Sequence, residues 1–172
     1  MTDPGMTALG RFRADKDDDL RDDPDSPLYG EAFTGLSYYP EAETYAVSAS
    51  FEPLAERDLV YLTTNVGDEQ PYVRAGRASF MLGGERCTLT LFRPTFETEN
   101  TRLFVPFTDA TSGSETYGAG RYLEAPLLPD GQVVLDFNYA YHPFCAYSER
   151  FRCPLPPAEN RLPVPVYAGE KL

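Results

Sequence analysis

Long apolar runs are absent from this 172-residue chain. No stretch approaches the roughly eighteen apolar residues that a membrane-spanning helix needs, so a membrane partner is not expected. Positive charge is also scarce. Lys+Arg is 15 against 27 Asp+Glu, a net charge of −12, and only Lys16 and Lys171 among the basic residues are lysine. Phosphate contacts need a basic surface, so nucleic acid is excluded as the expected partner. The three cysteines are an odd number, and the opening MTDPGMTALGRFRADKDDD lacks a basic n-region and an apolar h-region. The expectation is therefore a cytoplasmic protein without a disulfide framework. No GxxxxGKS/T phosphate loop and no GxSxG nucleophile elbow occurs, and YGAGRYL lacks the third glycine of a dinucleotide fingerprint. No internal repeat is visible.

What is present is a globular composition, with 42% apolar and 13% aromatic residues. The length suits one domain, read as residues 1–172. Acidic residues crowd an N-terminal arm over 1–28, where Asp15, Asp17, Asp18, Asp19, Asp22, Asp23 and Asp25 fall close together. Dense carboxylates with little lysine keep a surface hydrated in a salt-rich cytoplasm, where salt screens their repulsion. The charge pattern therefore predicts a halophilic source.

Residues 7–21 carry a thin stripe of Leu9, Phe12, Arg13, Lys16 and Leu20, which predicts a short helix. From Thr44 the period becomes two, and an antiparallel β core is expected over 44–137. Strands are expected at 44–51, 58–64, 102–107, 116–123, 132–137 and, more briefly, 164–167. The strongest local signal is RAGRASFMLGGERCTLTLFR. Gly83-Gly84 suits a two-residue hairpin turn, which places Leu82 opposite Glu85, Phe80 opposite Cys87, Ala78 opposite Leu89 and Gly76 opposite Leu91. Residues 138–172 form a long Pro-rich segment with little periodicity, and such segments are often functional. The fold class expected is mainly β, an antiparallel barrel or sandwich, with a short N-terminal helix and this C-terminal segment laid across it.

Chemistry-bearing residues gather toward the C-terminus. His142, Cys145 and Cys153 read H-x2-C-x7-C, three soft ligands that zinc would accept beside a fourth, although the spacing matches no standard finger. Two half-buried thiols, a Cys145–Cys153 disulfide and a zinc site are the alternatives, and no cofactor is the expectation. Cys87 falls on the apolar face of the hairpin as a core thiol. Arg121 is expected to pair with Asp109 or Asp136, either to pin loops or to receive a ligand. Asp136 and Asn138 are read on one strand face, with Phe137 on the other. A pocket walled by Tyr117, Tyr122, Tyr139, Tyr141 and Tyr147, with Arg121, Asn138 and Asn160 as polar contacts, would suit a small molecule.

The blocks FRADKDDDLRDDPDSPL, GLSYYP, VPFTDATSGSETYGAGRYLEAP and VLDFNYAYHPFCAYSERFRCPLPPAENRLPVPVYAGEK together resemble the domain of unknown function 1684 family. The resemblance extends from about Phe12 to Lys171, and the family includes bacterial and halophilic archaeal members. Its pattern D-x-N-x-A-Y-x-P-x-C-A-Y, then C-P-x-P and E-N-R-L, is matched by Asp136, Asn138, Ala140, Tyr141, Pro143, Cys145, Ala146 and Tyr147, and again by Cys153, Pro154, Pro156, Glu159, Asn160, Arg161 and Leu162. The family has Asn where this chain has His142, which weakens a metal site there. The resemblance implies no substrate or cofactor; it directs attention to Cys145, Cys153, Glu159, Asn160 and Arg161.

Three readings of function follow. The first is a small-molecule-binding module contacting ligand through Arg121, Tyr122, Asn138, Tyr141, Tyr147, Asn160 and Arg161, with a homodimer interface as a further expectation. The second is an enzyme with Cys145 as nucleophile or redox thiol, Cys153 as its resolving partner and Glu159 as a further catalytic candidate. The third is a purely structural or interaction domain. The charge pattern generates its own test, a melting curve against KCl. The melting temperature is expected to rise by several degrees between about 0.1 M and about 2 M KCl, and indifference to salt would contradict the halophilic reading.

Overall fold

The computed structural model describes residues 5–30, 32–99 and 101–172. Helix α1 (Ala8–Asp22) is capped by Thr7, whose side chain accepts from Gly10 N at 3.0 Å. Leu9 and Leu20 supply its buried face. The same side of the helix donates to the body of the molecule: Arg13 to the carbonyls of Tyr39 and Asn138, and Lys16 to Glu170. A short strand β1 (Ser37–Tyr38) follows. Next come the long β2 (Ala46–Thr63), β3 (Glu69–Leu82), β4 (Glu85–Pro94), β5 (Arg102–Phe107), β6 (Arg121–Pro126) and β7 (Gln132–Asp136). The last element, β8 (Glu170–Lys171), pairs with β1. Among the described residues no helix is long and apolar enough to cross a membrane.

The six long strands form one antiparallel sheet in the order β6-β5-β4-β3-β2-β7. Its two edges approach each other and touch at a bridge between Leu127 and Val133, so the sheet is a nearly closed barrel. The hairpin β3–β4 has the register that its hydrophobic alternation demands, from Gly76 opposite Leu91 to Leu82 opposite Glu85. Gly83 and Gly84 take φ of 58° and 78°, the left-handed values that a type I′ turn requires. The segments expected as two strands, 44–51 and 58–64, are one strand with a bulge between Pro53 and Asp58.

Two expected strands differ. Residues 116–120 are not extended; the chain turns there and β6 begins at Arg121. Gly120 makes the turn at φ 110°, and a Cβ at this position would stand 2.5 Å from the Phe107 carbonyl oxygen. Residues 164–167 pair with no strand. Val164 and Val166 turn inward while Tyr167 stays exposed, and pairing is deferred to β8. Asp136 and Asn138 do not share a strand face either. Asp136 ends β7 and its carboxylate caps the 3-10 turn Phe137–Tyr139, accepting from Asn138 N at 3.1 Å and Asn138 Nδ2 at 2.9 Å.

The barrel interior is filled by Leu89, Leu91, Leu103, Val105, Phe107, Leu123 and Leu135, all buried. Leu162, Val164, Val166 and Ala168 join the same cluster. The C-terminal segment thus completes the core of the barrel as well as lying against it. A second, smaller cluster of Tyr122, Cys145 and Cys153, with Phe104, Tyr117, Tyr141 and Phe151 packed against it, is formed largely by the stretch 141–153.

Candidate functional site

Among the described residues, Arg121 heads the large side chains that are fully buried. Its Nη1 donates to the carbonyls of Ala168 at 2.6 Å and Glu170 at 3.0 Å; Nη2 donates to the carbonyl of Val166 at 2.9 Å and lies 3.5 Å from Asp109 Oδ2. Asp109 Oδ2 also accepts from Val166 N at 2.6 Å. Of the two carboxylates the sequence offered, the partner is therefore Asp109. Burial pushes the Arg121 pKa down and the nearby Asp109 opposes that shift. The guanidinium spends four hydrogen bonds on protein groups, and it acts as a brace for the C-terminal segment.

Asn160 is likewise a brace. Strands β4 and β5 pair at Phe92–Phe104 alone, which leaves backbone groups unladdered beyond that point. Asn160 fills the gap: Oδ1 accepts from Thr90 N at 2.8 Å, and Nδ2 donates to the carbonyls of Thr90 and Pro106 at 2.9 and 2.8 Å. Its neighbours extend the repair, with Thr108 N donating to Asn160 O and Leu162 N to Thr108 O. Glu159 accepts from Thr90 Oγ1 at 2.7 Å and Arg74 at 3.0 Å, so its carboxylate serves this seam rather than the cysteines. Arg161 is exposed. Asn138 bridges to Ala42, through its N–H and C=O, and to Asp136. Tyr122 donates to the Pro154 carbonyl. Arg121, Asn160, Asn138 and Tyr122 therefore do not converge on one cavity; each holds a different part of the backbone.

His142 is buried, and both ring nitrogens are engaged. Nε2 accepts from Tyr117 N at 3.2 Å, which puts the ring proton on Nδ1, 3.0 Å from the Tyr147 hydroxyl. Tyr147 in turn donates to Glu170 Oε1 at 3.3 Å. Glu170 Oε2 accepts from Lys16 Nζ at 2.9 Å and from His142 N at 3.2 Å. This chain of contacts fastens α1 to the C-terminal end. Burial, with Arg121 and Lys16 near, pushes His142 down to about 3, while burial pushes Glu170 up against the pull of Lys16. An imidazole committed on both sides is no ligand for the set His142, Cys145, Cys153. Among the described residues no group of three or more His, Cys, Asp or Glu is placed to hold a metal ion.

The three cysteines are free and buried. Cys87 occupies the apolar hairpin face, as its alternation requires. Cys145 and Cys153 pack together against Tyr122, and the Cys145 thiol lies 3.9 Å from the Tyr117 hydroxyl. Burial, reinforced by Cys153, pushes Cys145 up to about 11. A thiol held protonated in this way is a poor nucleophile at neutral pH.

The cavity that brings aromatic and charged side chains together lies where the barrel edges meet. Its volume is about 440 Å³ and its walls include Phe12 from α1, Tyr139, Tyr141, Val134, Asp136 and the Arg102–Glu124 pair. Phe12 meets Tyr139 edge-on with ring centroids 5.0 Å apart, and Lys16 sits over the Tyr141 ring at 4.7 Å. Arg102 and Glu124 are 3.3 Å apart. Of the expected pocket residues, Tyr139 among the walls and Tyr141 among the ligand contacts lie here. Phe12 and Arg102 could not be picked out from the sequence, because closure of the barrel by α1 is what makes them neighbours.

The His142 contacts predict an acid sensitivity. A folded-state value near 3 against 6.5 in the unfolded chain means the unfolded state binds the extra proton over that window. Stability from this group is complete above 6.5 and declines as pH falls, by up to about 1.4 kcal/mol per pH unit. Urea unfolding of the His142→Asn variant across this window is expected to show a shallower decline than the parent, and parallel declines would contradict the assignment.

Comparison with known proteins bears on the family and the fold. No curated protein matches. A solved structure, the solution NMR structure of an uncharacterized protein of Haloarcula marismortui, is 40% identical with a TM-score of 0.75, over 95% of this chain and 92% of that one. The fold is thus shared with a protein of a halophilic archaeon. The model of a protein family of unknown function, DUF1684, matches residues 31–171, and the chain belongs to that family.

Proposed function

We propose that this chain is a small-molecule-binding domain and that its ligand is a small organic cation held in the cavity between β6 and β7. This pocket differs from the one expected from the sequence: it keeps Tyr139 and Tyr141 and has Arg102 instead of Arg121. Three rings, Phe12, Tyr139 and Tyr141, wall a space of about 440 Å³, a size that suits a compact ligand. An aromatic face attracts a cation at up to about 6 Å, and Tyr141 already has an ammonium at 4.7 Å. The Arg102–Glu124 pair is self-compensating. That leaves Asp136 as the lining charge; its contacts to Asn138 use Oδ1 and neither uses Oδ2. The carrying observation is this combination of three rings with one uncompensated carboxylate.

Choline and tetramethylammonium are suitable probes, followed by ring-proton shifts of the tyrosines at constant ionic strength. Saturable shifts are expected. Tyr139→Ala and Asp136→Asn are each expected to weaken binding by roughly tenfold, in line with about 1 kcal/mol or more for a desolvated cation–π contact. Absence of saturation, or binding indifferent to both variants, would contradict the assignment.

A further inference from the structure

The buried pair Cys145 and Cys153 is a second place where the molecule brings reactive atoms together. Both backbones are fixed. Cys145 lies in the 3-10 turn Phe144–Ala146, which Pro143 leads into. Cys153 is gripped by Asn65, whose Oδ1 accepts from Cys153 N at 2.8 Å and whose own N–H donates to Cys153 O at 3.2 Å. The two residues share one buried cluster, 8% and 9% exposed, close enough for Cys153 to act on the Cys145 thiol. Cys145, with Tyr117 and Tyr147, lines a cavity of about 630 Å³, distinct from the aromatic one, so a small ion has a route to the sulfur.

The donor set decides which ion. Two sulfurs are offered. The Cys145 thiol meets the Tyr117 hydroxyl at 3.9 Å, and His142 is occupied on both ring nitrogens. Zinc takes four ligands and prefers them tetrahedral. Calcium and magnesium take oxygen. Paired thiolates with no third ligand suit a soft monovalent ion.

We propose that Cys145 and Cys153 bind one Cu(I) ion as a two-coordinate dithiolate. On binding, each S–H bond breaks and its proton passes to solvent while an S–Cu bond forms. Two protons leave for one copper ion, the site changes from neutral to a charge of −1, and no atom changes oxidation state. The Tyr117 hydroxyl, 3.9 Å from Cys145 Sγ, is positioned to donate to the thiolate so formed.

The test adds Cu(I), as its acetonitrile complex, to the anaerobic full-length protein in competition with bathocuproine disulfonate. One Cu(I) per chain is expected to leave the chelator. Cys145→Ser and Cys153→Ser are each expected to lower the apparent affinity by at least about 100-fold, and Cys87→Ser to leave it unchanged. Should a serine variant fail to fold, copper K-edge absorption of the loaded parent reads the ligands directly, with two sulfur neighbours expected. Copper left entirely with the chelator, tight binding retained by either serine variant, or a coordination sphere containing oxygen, nitrogen or a third sulfur would overturn the proposal.

Discussion

The grip of a buried guanidinium on the C-terminal backbone is the contact on which the rest of this fold depends. Arg121 enters the interior at the start of β6 because Gly120 can turn where a side chain would strike the Phe107 carbonyl. Once inside, it must replace its lost hydration. The carbonyls of Val166, Ala168 and Glu170 and the carboxylate of Asp109 do so. The dependence is mutual. Without Arg121 those carbonyls would be buried with no donor, and without the segment the charge would be buried with too few acceptors. Removing one partner from such a buried pair typically costs about 3–5 kcal/mol.

Everything at the C-terminal end is placed by that grip. With residues 166–170 fixed, Val164, Val166 and Ala168 fill the end of the barrel and Glu170 is held where Lys16, Tyr147 and the His142 backbone reach it. Helix α1 is then docked, and Phe12 closes one side of the aromatic cavity. Upstream, Asn160 performs the same service for the weakly paired β4–β5 seam. Two polar side chains thus replace strand pairing at the places where the sheet itself does not supply it.

How much was legible in the sequence follows from the range of each interaction. The β3–β4 hairpin could be read residue by residue, since alternation and Gly83-Gly84 are local signals. Asp109 was one of two partners foreseen for Arg121, but its use as a backbone brace was not, because the acceptors lie about forty-five residues downstream. The segment 164–167 has the apolar alternation of a strand, yet the Val166 carbonyl goes to Arg121, the Val164 carbonyl to Ala110 N, and the Val164 and Val166 side chains to the barrel end. The motif residues Asn160 and Glu159 stood out by type, and only the gap between β4 and β5 shows why they are needed there. The aromatic cavity was least legible, as it exists only where β6, β7 and α1 come together.

The measurement that bears most directly on this account is native-state hydrogen exchange in the Arg121→Met variant, which keeps the volume of the side chain and removes its charge and donors. The amides of Val166, Glu170 and Leu172, each bonded within this end of the molecule, are expected to lose protection by roughly 100-fold or more relative to the β3–β4 hairpin amides. Protection that falls equally everywhere, or not at all, would contradict the claim that Arg121 holds the C-terminal segment in place.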